Sequence, residues 1–321
     1  MLQRGICKLE DLVYEVGSLS EAKCHLRRPC YIGLYEEVLA LDSYPIDPLL
    51  EAILASFATS NGAFKRTTKA RFRHFDEQVV SLFGSLPSLG QRYIIHDLAV
   101  SDARTACDFF FALTSIFGER IDFYATDLCL RVFVLQKTGA RTRVVVDDRD
   151  NVLQVVFPPL VLSEKLSRRQ RFLYPANKIL RLLFSRTTVK EILRLAVRGD
   201  SSIQRQEILL ICPEARKTLE NHHNFHVETH DVFGQTPRRY SAVRAMNLFN
   251  LTYFSESAIA TAIRRIYESL YEGGMLITGS NDDPGSTVDG GVYRKQGGRF
   301  TSVYRSGAGS AIDHLVLSCP E

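Results

Sequence analysis

The sequence predicts an α/β fold built on a parallel sheet, and three observations carry that prediction. Short apolar runs alternate with segments of helical period. Strand-like runs end in an acid at Asp97, Asp127 and Asp231, and the first of them turns straight into a helical pattern. A Gly273-Gly274 step separates the last long helical pattern from another short apolar run. Strand, helix and strand at such spacing make up a parallel βαβ unit.

The first ninety residues read as helical with irregular interruptions. Pro48 opens one helix, PLLEAILASFA, and FDEQVVSLFGSL forms a second. Between them lies a basic, hydroxyl-rich stretch, Phe64 to Phe75 (FKRTTKARFRHF), and Pro87, Ser88 and Gly90 then mark a boundary. Tyr93–Val100 is a strand, Ala103–Phe117 a helix and Ile121–Thr126 the next strand. Leu130–Leu135, Thr142–Val146 and Val152–Phe157 are separated by KTGA and DDRDN, which favours a small antiparallel insert.

Ser163–Gln206 differs in character. It holds eleven Lys or Arg against three acids and carries leucines at helical period in KILRLLF and VKEILRLAV. It reads first as a cap with a solvated basic face, and second as a contact for an anionic partner or a peripheral membrane surface. The α/β pattern then resumes with a strand at Glu207–Cys212, a helix at Pro213–Glu220 and strands at Phe225–Phe233 and Ala242–Leu248. A helix at Ser255–Leu270 and a strand at Met275–Gly279 follow, and GVYRKQGGRFTSVYR and IDHLVLS read as an antiparallel tail. The resulting layout is a helical N-terminal region at 1–90 and an α/β domain at 91–321, with a β insert at 128–160 and a basic helical insert at 163–206.

Composition limits the function classes. The chain has 321 residues, of which 45% are apolar and 24% charged, so a mainly disordered protein is excluded. Its net charge of +4 falls short of a dedicated nucleic-acid binder, and no nucleic acid is expected as partner. No apolar run reaches the roughly 18 residues of a membrane span. The opening MLQRGICKLEDLVYE carries acids where an export signal has its apolar core, and predicts a cytoplasmic protein. Seven scattered cysteines with no CxxC pair predict reduced thiols, with Cys107, Cys129 and Cys212 in apolar stretches.

A strand that ends in an acid and turns into a helix serves nucleotide cofactors well. The helix start offers free amides, the turn brings backbone close to the ligand, and the acid of the next strand can bind a ribose diol. Here the first turn runs Asp97-Leu98-Ala99-Val100-Ser101-Asp102-Ala103-Arg104-Thr105, and Asp127 follows thirty residues after Asp97.

At these residues the chain resembles the class I S-adenosylmethionine-dependent methyltransferases. HDLAVSDARTA stands where that family has its first motif. Asp127 is similar to its ribose-binding acid, and Asp231 with Val232 and Phe233 to its adenine-contacting segment. Leu270-Tyr271-Glu272-Gly273-Gly274-Met275-Leu276 is similar to its LxxGG phrase, over a likeness spanning roughly 90–160 and 207–321. The resemblance implies a Rossmann-like seven-stranded methyltransferase sheet with an antiparallel last strand, beside a helical N-terminal region and a helical insert. It implies S-adenosylmethionine as cofactor, and methyl transfer to an oxygen or nitrogen of a small-molecule or lipid-like acceptor, an anionic one if the basic insert takes part. Carried over residue by residue, the cofactor contacts are Asp97, Ala99, Val100, Ser101, Asp102, Thr105, Asp127, Leu128, Asp231, Val232, Phe233 and Met246.

The first motif departs from the family's GxGxG, reading Ala99-x-Ser101-x-Ala103. Glycine there permits positive φ and close backbone approach. Asp102 is the residue expected to take the left-handed turn position, and Ser101 to hydrogen-bond the cofactor. The departure keeps a second implication open: a degenerate methyltransferase that binds cofactor or a protein partner without turnover. A fainter likeness, to the chemotaxis-receptor glutamate methyltransferases, rests on TTKARFRHF and residues 128–157; it implies that Thr68, Arg71 and Arg73 line the cofactor and substrate pocket, with Arg71 and Arg73 as cofactor contacts. Positions after strand four face the methyl group in this fold, which makes Asn247, Asn250 and Tyr253 candidates to orient the acceptor, with Arg244 further back as a structural residue. No general base stands out.

Other signals are set aside. His226, Glu228 and His230 would share one strand face, a possible ligand trio, yet they run directly into Asp231, and no metal is predicted. His96, in an apolar strand, reads as a hydrogen-bonded core histidine. A nicotinamide dehydrogenase would need GxGxxG at the first turn, and neither a P-loop nor a GxSxG elbow is present.

Overall fold

The computed structural model describes residues 4–18, 26–41, 45–60, 62–65, 67–85, 92–166, 174–236, 238–281 and 286–319. The predicted boundary at Pro87–Gly90 lies outside them. The chain forms two compact units, one of residues 67–130 and 213–321, the other of residues 1–66 and 131–212.

The first unit is a seven-stranded sheet. Its strands are β1 (Tyr93–Leu98), β2 (Ile121–Asp127), β8 (Phe225–Thr229), β9 (Tyr240–Met246), β10 (Leu270–Ser280), β11 (Asp289–Gln296) and β12 (Arg299–Ser306). They lie in the order β12-β11-β10-β9-β1-β2-β8. From β8 to β10 neighbours run parallel, while β10–β11 and β11–β12 are antiparallel hairpin partners. Built outward from β1, the chain lays down β2 and β8 on one side, then returns to place β9, β10 and the rest on the other. That order is the doubly wound one, with its reversal point between β1 and β9. The fold is Rossmann-like.

Both faces are covered, so every residue of β9 and all but one of β1 are buried. On one face α5 (Arg104–Phe117) sets Phe109 and Phe110 against Phe123 of β2 and Phe225 of β8, with ring centroids 5.0–6.2 Å apart. Next to it lies α8 (Pro213–Asn221), where Thr218 meets the Cys107 thiol at 3.8 Å. On the other face Ile259, Ala262, Ile263 and Ile266 form the apolar stripe of α9 (Glu256–Ser269) and pack on Leu98, Val243, Ala245 and Leu276. Ser255 caps α9, its Oγ accepting from the Ala258 amide at 3.3 Å.

Three expectations are corrected in this unit. IDHLVLS is not a strand: α10 (Asp313–Leu317) forms there, because Ile312, Val316 and Cys319 recur at helical spacing and bury together beside α9. The strand expected at Met275–Gly279 begins earlier, at Leu270, with a register shift at the Gly273-Gly274 step. A Cβ on Gly274 would sit 3.1 Å from the Ser241 carbonyl, which is why glycine stands there. The segment 67–85, placed by composition with an N-terminal helical region, belongs to this unit, and its helix α4 (Arg73–Leu82) carries Asp76.

The second unit is a five-stranded antiparallel sheet in the order β6-β5-β4-β3-β7, with β3 (Arg131–Lys137), β4 (Arg143–Asp147), β5 (Val152–Phe157), β6 (Leu160–Ser163) and β7 (Ile203–Leu209). The run expected as a returning strand of the large sheet at Glu207–Cys212 is therefore the end of an edge strand here, paired with β3. The basic segment forms α6 (Tyr174–Phe184) and α7 (Lys190–Val197), continuous through a π-turn at Ser185–Val189. Leu180, Val189, Ile192 and Leu193 cover Leu135, Val144, Val146, Val155 and Leu162.

The N-terminal elements α1 (Leu9–Gly17), α2 (Leu34–Leu39) and α3 (Ile46–Ser56) complete this unit. Gln154, one residue before Val155 on β5, points to the opposite face. Its Oε1 accepts from the Ile32 amide at 3.1 Å and its Nε2 donates to the Cys30 carbonyl at 2.9 Å. Gln154→Leu leaves both groups buried and unsatisfied, and should lower unfolding free energy by about 2–4 kcal/mol in a urea titration. A loss below about 1 kcal/mol would show that the N-terminal segment does not depend on this contact.

Candidate functional site

The site begins where the strand order reverses. Ala99, Ser101 and Ala103 adopt φ of 57°, 60° and 63°. These alternate residues are the ones that stand in for the glycines of GxGxG, and the left-handed conformation falls on them and not on Asp102, against expectation. Each such residue with a Cβ costs roughly 1–2 kcal/mol. The turn is held by the Val100 amide donating to the Thr126 carbonyl at 3.0 Å, by the Ala103 amide donating to Val100 at 2.9 Å, and by the Ser101 amide donating to Asp127 Oδ2 at 2.8 Å. Asp127 Oδ1 accepts from the Cys129 amide at 3.1 Å, so one carboxylate ties the end of β2 to the turn after β1. Ala99, Ser101, Asp127 and Leu128 are partly exposed, whereas Val100 and Thr105 are buried.

Two acids assigned to the cofactor are occupied elsewhere. Asp102 is buried and accepts from the Arg104 amide at 3.2 Å and from Arg104 Nε at 3.5 Å. Asp97 accepts from Arg244 Nη1 at 2.8 Å. Arg244, 1% exposed, also donates to Asp76 through Nε at 3.2 Å and Nη2 at 2.9 Å. Its guanidinium lies 5.3 Å from the Phe72 ring centroid and 4.8 Å from that of Phe109. Burial pushes both carboxyls up despite the pull of Arg244, and the charge of Asp97 adds to the rise at Asp76. Arg244 is thus the structural residue that its place in the strand implied, and it takes Asp97 with it.

A loop from the basic stretch reaches the adjoining strand ends. Ala70, at φ 57°, donates its amide to Asp108 Oδ2 of α5 at 2.7 Å. Arg71 donates through Nε to Asn281 Oδ1 at 2.8 Å and through Nη2 to the Asn281 carbonyl at 2.7 Å. Asn281 in turn donates its amide to Asn247 Oδ1 at 3.0 Å, and Asn247 itself is left-handed at φ 52°. Among the described residues Thr68 Oγ1 is buried without a hydrogen-bond partner. Arg73 is exposed at the start of α4. Asn281 and Asp108 were missed in the sequence, because nothing local marks residues that act 210 and 38 positions away from their partners.

The remaining candidates are spread more widely. Asp231 Oδ1 accepts from the Phe233 amide at 3.0 Å, and Val232 and Phe233 pack on the core beside α9, Phe233 meeting Phe254 at 5.3 Å. Met246 is buried. Asn250 caps its own turn, accepting from the Thr252 amide at 2.8 Å, and Tyr253 is 82% exposed. The strand ends therefore join the Ala99–Ala103 turn with Asp127, and Arg71 with Asn281 and Asn247. His96 is buried, bonded to Thr126 Oγ1 at 2.9 Å, and burial beside His230 pushes its pKa down to about 3. His226 pairs with Asp122 at 2.8 Å and Glu228 with Arg238 at 2.9 Å, so this run is committed to separate partners.

No family model and no curated protein matches the chain. Among solved structures it is similar to the sugar N-methyltransferase KedS8 from Streptoalloteichus sp, at 12% identity over 68% of this chain and 50% of that one, TM-score 0.29. DszA carbon methyltransferase matches at 14% identity over 68% of this chain and 38% of that one, TM-score 0.32. SAM-bound CalS10, an amino pentose methyltransferase from Micromonospora echinaspora, matches at 11% identity over 72% and 61%, TM-score 0.30. The match spans half the length of the first and less of the second.

Arg244→Met leaves two buried carboxylates facing each other, and should cost about 3–5 kcal/mol at pH 8. The folded variant then binds protons more tightly than the unfolded chain, so its deficit against wild type narrows as pH falls from 8 to 5. Urea unfolding at both pH values checks this, and a deficit independent of pH would refute the charge account.

Proposed function

We propose that the carboxyl ends of β1, β2 and β9 bind S-adenosylmethionine, and that the protein transfers its methyl group to an oxygen or nitrogen of a small-molecule or lipid-like acceptor. One observation carries the reading: three alternate non-glycine residues held left-handed at the reversal point of a doubly wound sheet. Strain of this kind persists only where the surroundings over-determine it, and the inference runs from that outlier to a site.

The residues present fit the cofactor. Backbone at Ala99, Val100 and Ser101 would meet its amino-acid end. Asp127 would meet the ribose, since a carboxylate has several acceptor positions and can hold the Ser101 amide and a hydroxyl together. Asp231, Val232 and Phe233, with Leu128, would meet the base. When bound, the sulfonium supplies an already activated methyl group, so the chain's task is to align the acceptor and exclude water. Arg71, through Asn281, fixes the loop bearing Thr68 and orients Asn247 beside the strand ends. The side chains of Cys30, Cys107, Cys129 and Cys212 are buried, which suits a reducing, cytoplasmic setting. No helix among the described residues is long and apolar enough to cross a membrane.

A second reading, binding without turnover, is favoured by the Cβ atoms of Ala99 and Ser101, which stand where glycine would leave only hydrogen. Calorimetric titration with S-adenosylhomocysteine separates the cases. Saturable binding is expected, Asp127→Ala should weaken it at least about tenfold and lower Tm by freeing the Ser101 amide, and Ala99→Gly should tighten it without loss of Tm. No binding at millimolar ligand would overturn the proposal. Binding without methyl transfer to any of a panel of alcohols and amines would select the second reading.

A further inference from the structure

The helix α6 is turned the wrong way round for a surface helix. Two of its polar residues face the sheet: Asn177 accepts from the Ser163 amide at 3.1 Å and donates to the Ser163 carbonyl at 2.8 Å, and Arg181 donates to the Val152 carbonyl at 2.8 Å. Leu180 packs inward, but three other aliphatic residues face outward, with Ile179 60%, Leu182 53% and Leu183 58% exposed, and Val197 of α7 78% exposed. Residues 179, 182 and 183 share one helical face. Around them Lys178, Lys190, Arg194 and Arg198 are also exposed. Across residues 165–199 the chain carries ten Lys or Arg and a single acid, Glu191, which Lys137 holds at 2.7 Å.

From this arrangement we infer that the α6–α7 face docks on an anionic lipid surface. Aliphatic side chains at the centre with cations at the rim are what an interfacial helix presents to headgroups and acyl chains. Nucleic acid would draw on the cations and leave three aliphatic side chains in water. A symmetric second copy would bring the cationic rims together, which disfavours it. The inference uses residues of the five-stranded unit alone, so it stands or falls apart from methyl transfer.

Co-sedimentation of the full chain with vesicles of phosphatidylcholine and phosphatidylglycerol, seven parts to three, tests it. Binding is expected to these vesicles, with little to phosphatidylcholine alone and release at high salt. Leu182→Asp with Leu183→Asp should abolish binding. Lys178→Gln and Lys190→Gln should each weaken it by about fivefold, the worth of one basic residue at an anionic surface. All four substituted positions are exposed, and an unchanged circular dichroism melt confirms the fold. Absence of binding, equal binding to neutral vesicles, or binding indifferent to the double Asp variant would overturn the inference. So would a dimer of the wild type that the double Asp variant converts to monomer without any vesicle binding.

Discussion

The seven-stranded unit depends on one guanidinium. Arg244 is buried in the fourth strand laid down, and it holds Asp97 of the first strand and Asp76 of the preceding helix. Two carboxyl groups and one cation are buried together, which is expensive unless they are paired and hydrogen-bonded. The guanidinium also lies over the Phe72 and Phe109 rings, while its nitrogens are taken by the carboxylates. The triad joins α4, β1 and β9 at the point where the strand order reverses. It also occupies one oxygen of Asp97, just ahead of the turn after β1.

That rigid start matters because the turn beyond it is strained. Ala99, Ser101 and Ala103 each occupy a conformation that glycine would adopt freely. The same substitution of alanine for glycine restricts the unfolded chain, a gain of about 0.4–1 kcal/mol per position that offsets part of the strain. The remainder is met by the bonds from Val100 to Thr126 and from Ser101 to Asp127. A glycine-free turn is therefore stable here because β2 grips it, and Asp127 has a structural duty before any ligand arrives. Loss of that carboxylate would loosen the turn as well as the site.

Much of this was legible in the sequence, for local reasons. Val152–Phe157 and the span Ile121–Thr126 appear as strands because alternation and turn residues frame them, and Ser255 announces α9 as its cap. What was not legible depends on distant pairing. Arg71 and Asn281 are 210 residues apart, and neither lies in a pattern that points to the other. Glu207 sits in an apolar run that serves either sheet equally well, and only pairing with Arg131–Lys137 assigns it to the smaller one. Residue preference, which averages over contexts, points to Asp102 for the left-handed position. Backbone geometry at the reversal point overrode preference and put it on alanine and serine. Grouping of residues 1–66 with 131–212 was likewise hidden, since composition carries no trace of the Gln154 bonds to Cys30 and Ile32.

The basic helix shows how the same periodicity can be read correctly and still mislead. Leucines at helical spacing predict a buried stripe, and α7 obeys, with Val189, Ile192 and Leu193 on the sheet. In α6 the stripe splits: Leu180 packs inward with Asn177 and Arg181, while Ile179, Leu182 and Leu183 turn out. The π-turn at Ser185–Val189 adds one residue to the spiral between the two halves. It lets Val189 and Ile192 of the second half reach the sheet although eight residues separate Arg181 from Val189, where an α-helix would return to the same face after seven. A sequence scan at a single period joins the two halves into one amphipathic face. The extra residue breaks that continuity, so the first half can anchor through polar bonds to β5 and β6 while its leucines stay outside.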